Sequence, residues 1–156
     1  MPSFRLVGLP YEPFAPLFDL TDTQRAGTGA VRVIAKSNTD YPCRVSLVDA
    51  DIGDELLLLR FEHQPGQSPY RASGPIYVRR GVSPSILEPN EVPDYVTRRL
   101  ISVRAYDDTH MMLGAEVCNG TEVAAEIGRQ FADGRIAYIH LHNAKPGCFS
   151  CRVDRA

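Results

Sequence analysis

Two alternating runs, IAYIHLH at 136–142 and CFSCRV at 148–153, flank the loop NAKPG near the end of this chain. They narrow its folding choices more than any other feature. In the first run Ala137, Ile139 and Leu141 project one way, and Tyr138, His140 and His142 the other. In the second, Phe149, Cys151 and Val153 oppose Cys148, Ser150 and Arg152. Five loop residues join strands of this kind into a hairpin. Because a slip of one residue turns every side chain over, matched faces select a single register. That register sets His142 opposite Cys148, His140 opposite Ser150 and Tyr138 opposite Arg152, with Leu141, Phe149 and Cys151 toward the core. A bulge would shift it.

The CxxC at Cys148 and Cys151 therefore does not read as a redox pair or half of a zinc knuckle. On a strand its two thiols leave opposite faces, whereas both chemistries need them together. Cys151 reads as a small buried apolar residue. Cys148 shares its face with His140, His142 and Arg152; cationic neighbours favour thiolate and a histidine can take its proton. A metal held by His140, His142 and Cys148 ranks below that reading, since no fourth ligand is evident. The plainest account is a polar cluster beneath a loop.

Elsewhere the chain reads as β-rich. Strands are expected over 4–9, 30–36, 43–47, 55–61, 76–80, 100–106 and 111–118. The four consecutive leucines at 56–59 defeat any period-2 pattern and point to an interior strand buried on both faces. Thr21 and Gln24 form a capping box for a short helix ending before Gly27 and Gly29. Pro93 suits the first position of another short helix, reaching Arg99. The main helix is expected over 122–132, capped by Thr121, with Val123, Ile127 and Phe131 on one stripe. The sum is α+β: a mostly antiparallel sheet with one main covering helix and one or two short helices, in a single domain spanning 1–156.

Composition excludes several functions. At 156 residues, 44% apolar and 23% charged, the chain can bury a core without staples. A net charge of −2, from 17 basic and 19 acidic residues, gives no reason to expect nucleic acid. No stretch approaches the roughly 20 apolar residues of a membrane span, and none resembles a signal peptide. A cytoplasmic location is the expectation, and there the four cysteines favour thiol or metal chemistry over disulfides. There is no GxSxG, P-loop, GxGxxG or HExxH, so no cofactor is legible and oligomeric state is open.

Further candidates lie outside the hairpin. The connection at 63–75, HQPGQSPYRASGP, is long for a folded domain, and such loops are often functional. Within it Tyr70, Arg71 and Ser73 offer donors to an anionic ligand, against the alternative of a loop packed by its own tyrosine. Arg104 and Tyr106 share a strand face. In Pro42-Cys43-Arg44, parity favours a buried Cys43 beside an exposed Arg44. His63 and His110 carry no assigned role.

The segments YPCRVSL at 41–47, SPYRASGPIYV at 68–78, RAYD at 104–107 and NAKPGCFSCRVDRA at 143–156 resemble an uncharacterised bacterial family, domain of unknown function 1203. The resemblance implies no activity. Its pattern matches at Cys43, Arg44, Tyr70, Arg104, Tyr106, His140, Cys148 and Arg152, and departs at His142 and Cys151, which speaks against a four-ligand metal site and against His142 as an essential base. Two functions are consistent with these readings. One is a module binding a small anionic ligand between loop 63–75 and the hairpin's polar face, with Cys43, Tyr70, Arg71, Ser73, Arg104, Tyr106 and Arg152 as contacts. The other is an enzyme with Cys148 as nucleophile and His140 as base.

Overall fold

In the computed structural model, which describes residues 1–156, ten strands and four helices follow one another along the chain. The strands are β1 (Phe4–Val7), β2 (Val31–Ile34), β3 (Pro42–Cys43), β4 (Val48–Asp49), β5 (Glu55–Gln64), β6 (Ala72–Arg79), β7 (Leu100–Tyr106), β8 (Met112–Asn119), β9 (Tyr138–Asn143) and β10 (Phe149–Arg155). The helices are α1 (Ala15–Phe18), α2 (Asp22–Ala26), α3 (Asp94–Thr97) and α4 (Val123–Phe131). No helix is long and apolar enough to cross a membrane.

The strands build two five-stranded sheets where one was expected. The first runs β1-β10-β9-β7-β8 and is antiparallel throughout. The second runs β2-β5-β6-β3-β4, with β3 parallel to β6. The fold is thus mixed, not one sheet under one helix. The physical reason is that both faces of the first sheet are apolar or buried. Its inner face packs Val103, Ile139, Leu141, Cys151 and Val153 against Val123, Ile127 and Phe131 of α4. Its other face buries Phe149 among Cys43, Leu57, Ile76 and Val78 of the second sheet.

Local readings hold where short-range chemistry decides them. The capping box of α2 is present: Gln24 N donates to Thr21 Oγ1 at 3.2 Å, and Thr21 N donates to Gln24 Oε1 at 3.0 Å. β5 lies between two partners, and Leu56 and Leu57 are buried in different clusters, as a strand covered on both faces requires. Three readings fail. Residues 44–47 form a tight turn between β3 and β4 rather than strand, with Leu47 at a φ of 54°. Thr121 falls in a 3-10 turn ahead of α4, so it is not the cap. Pro93 is the N-cap of α3, one position earlier than expected.

Candidate functional site

The hairpin of β9 and β10 forms, but a bulge shifts its register. Phe149 pairs with His142; past Ser150, Cys151 pairs with Leu141, Arg152 with His140 and Val153 with Ile139. The extra residue turns Phe149 onto the histidine face, where burial against the second sheet stabilises it. Side chains take up two carbonyls at the bulge: Arg44 Nε donates to Phe149 O at 2.8 Å, and Tyr95 Oη to Ser150 O at 3.0 Å. Cys151 and Val153 face the core and Arg152 faces away from it, as parity requires. Cys148 drops out of the ladder. The polar face expected to unite Cys148 with His140 becomes two separate places.

The first is a cavity of about 520 Å³ lined by Pro42, Arg44, Tyr77, Arg98, Arg99, Asn143, Lys145 and Cys148 among others. Arg44 forms its floor. Parity suggested an exposed side chain there, yet Arg44 is only 1% exposed, because the turn after β3 bends it beneath β10. Its guanidinium donates to Phe149 O, to Pro42 O at 2.6 Å and to Cys148 Sγ at 3.1 Å, and it meets no carboxylate. Of five N–H groups, two lack a protein acceptor. At the rim, Asp49 is nearly buried and accepts from both Arg98 and Arg99, so the three groups together remain positive. Leu58, Pro75, Leu100 and Pro146 supply an apolar wall.

The second place is an imidazole cluster. His140 and His142, two residues apart on β9, meet His63 from the end of β5, and one ring nitrogen of each lies within 4.8 Å of the other two. Burial, then the neighbouring His142 and His63, hold His140 down at about 3; burial holds His142 down at about 4. Burial and Arg104 also lower His63. The rings are therefore neutral near pH 7. Phe149 stacks on His63 with centroids 5.3 Å apart and planes 7° from parallel. His142 Nδ1 lies 3.0 Å from Gly147 O. Next to the cluster Tyr106 stacks on Tyr138, whose hydroxyl accepts from Gln64 Nε2 at 2.9 Å and lies 2.7 Å from His110 Nδ1.

Of the remaining expected residues, four lie beside the cluster and three in neither place. Arg104 and Tyr106 pair across β7 with His140 and Tyr138, so both border the cluster. Arg152 lies 4.2 Å over the Tyr138 ring. Tyr70 stands edge-on to Tyr106. Arg71 pairs with exposed Glu62 and Ser73 sits in a shallow groove on the second sheet, so neither reaches the cavity or the histidines. Cys43 is fully buried among apolar side chains, its sulfur 3.3 Å from Arg79 N, and does not share the cleft of Cys148. Cys148 and His140 make no hydrogen bond; the sulfur's partners are Arg44 and, at 4.0 Å, Asn143 Nδ2. The expected His140–His142–Cys148 set is not assembled, and His63 stands in the third position.

Three residues of consequence were passed over. His63 shares the period-2 parity of Leu57, Leu59 and Phe61, a signal that gains meaning only once that face is known to be inside. Nothing local to Arg98 and Arg99 announces that Asp49 lies between them.

No curated protein and no solved structure matches this chain. The profile of a family described as "Protein of unknown function (DUF1203)" matches residues 40–155, and the chain belongs to that family.

Proposed function

With membership of the DUF1203 family as premise, we propose that this protein binds a small organic anion in the cavity above Arg44. The observation that carries the reading is a buried guanidinium with no carboxylate partner and two N–H groups without acceptors. A buried charge of this kind is costly unless something of opposite sign meets it, and a planar fork suits a carboxylate or phosphate. Arg98 and Lys145 add positive charge at the rim, and the apolar wall favours a ligand whose anionic head carries a short hydrocarbon body. A volume of about 520 Å³ is in the range of metabolite pockets.

Titration calorimetry with inorganic phosphate and succinate at physiological ionic strength tests this. Saturable binding is expected for at least one of them. Lys145→Ala should weaken it a few-fold, and Arg44→Met more than tenfold, in keeping with loss of a buried charge contact. Lys145 is at the surface, so its variant reads the site even if Arg44→Met misfolds. Absence of saturation by either anion, or affinity indifferent to Lys145→Ala, refutes the reading.

A thiol-dependent reaction is the second reading, favoured by the 3.1 Å contact between Arg44 Nη2 and Cys148 Sγ at the cavity floor. A guanidinium donating to sulfur stabilises negative charge on it. In this version Arg44, not His140, is the group beside the nucleophile.

A further inference from the structure

We infer that His63, His140 and His142 form a binding site for a borderline divalent transition metal such as zinc, with a fourth position that takes an anionic oxygen ligand beside Arg104. Each histidine presents a ring nitrogen within 4.8 Å of the other two. A tetrahedral zinc with bonds of about 2.0–2.1 Å holds nitrogens roughly 3.4 Å apart, so the rings need to close modestly, and His63 is the least buried of the three. Strand parity aims His140 and His142 to the same side, while His63 arrives from the other sheet. That geometry is a three-cornered set.

Two further observations concern the nitrogens. His63 Nδ1, His140 Nδ1 and His142 Nε2 are all buried without a hydrogen-bond partner. Buried polar atoms nearly always find partners, and three orphans in one cluster call for a shared one. His142 Nδ1 faces Gly147 O at 3.0 Å. Donation to that carbonyl fixes the tautomer and leaves Nε2 as a bare lone pair, the arrangement typical of a metal-bound imidazole.

The donor set contains no carboxylate, and imidazoles without thiolates suit zinc, copper, nickel or iron rather than magnesium or calcium. A divalent ion here keeps its full charge, and Arg104, which pairs across the sheet with His140, adds another. These two charges favour an anion, such as hydroxide or a carboxylate, at the fourth position. The site is proposed for this chain. It is independent of the anion cavity, to which Cys148 belongs.

The test uses untagged protein stripped with chelator and titrated with cobalt, then competed with zinc. One equivalent should bind, with the intense visible absorption of a four-coordinate ion. His63→Ala should lose at least tenfold in affinity together with the absorption, whereas His110→Ala, altering the one histidine outside the cluster, should retain both. On the unaltered chain, zinc should protect His63 from diethyl pyrocarbonate while His110 continues to react. Binding no tighter than millimolar, retention of affinity in His63→Ala, or unprotected His63 at saturating zinc overturns the inference.

Discussion

At the scale of single residues, Arg44 sets the chemistry of the cavity. Its three contacts tie the turn after β3 to the bulge of β10 and place a donor on Cys148. The four thiols differ accordingly. Cys43 and Cys151 are buried, whereas Cys118 and Cys148 are partly exposed. Iodoacetamide applied to the native protein should modify Cys148 and Cys118 and spare the other two until denaturant is added, as read by mass spectrometry. Arg44→Lys removes the fork while keeping a charge. It should slow labelling of Cys148 and leave Cys118 as an internal reference; equal rates before and after would show that the guanidinium does nothing for the sulfur. That Cys151 is buried was legible from strand parity alone. The partner of Cys148 was not, because Arg44 lies 104 positions away in sequence.

At the scale of elements, the hairpin loop holds the two places apart. Gly147 has a φ of 81°, which glycine adopts freely and other residues do not. Its amide donates to Asn143 O at 2.8 Å and its carbonyl faces His142, so the same residue closes the turn and orients an imidazole. Gly147→Ala should cost about 1–2 kcal/mol by forcing a left-handed alanine, measured as a lower urea midpoint at unchanged slope. No Cβ clash contributes, since nothing lies within 4 Å of that position. The alternation of the two runs foretold the hairpin and the inward face of Cys151 and Val153. It set Phe149 on that same face and the loop at 143–147, whereas Phe149 turns to the histidines and the connection spans 144–148. It did not foretell the bulge, which depends on a second sheet to receive Phe149 and on Arg44 and Tyr95 to receive the freed carbonyls.

At the scale of the whole molecule, α4 closes one core over the first sheet, and the second sheet closes another on its opposite side. The first core encloses ionisable groups. Burial pushes the Cys151 thiol up to about 12 and raises the Tyr95 hydroxyl as well. In the unfolded chain the thiol ionises near its ordinary value of 9. Between that pH and about 12 the unfolded state releases a proton that the folded state keeps. Stability is therefore fully present below about pH 9 and falls as pH rises, by about 1.4 kcal/mol per unit for each such group. Urea midpoints at pH 8 and pH 10.5 should show the decline, and Cys151→Ala should flatten it. A midpoint constant over that range would count against burial of these groups.

By itself the sequence determined what depends on neighbours in the chain: the capping box of α2, the interior leucines of β5, the stripe of α4 and the parity that buries Cys151. Those follow from periods of 2 and 3.6 and from turn chemistry, which act over a few residues. Only the tertiary structure decided that there are two sheets rather than one, that Cys148 answers to Arg44 and that His63 completes the histidine set. Each of these joins positions far apart in the chain across a buried interface. A local pattern records that a face is hidden, but not which distant side chain hides it.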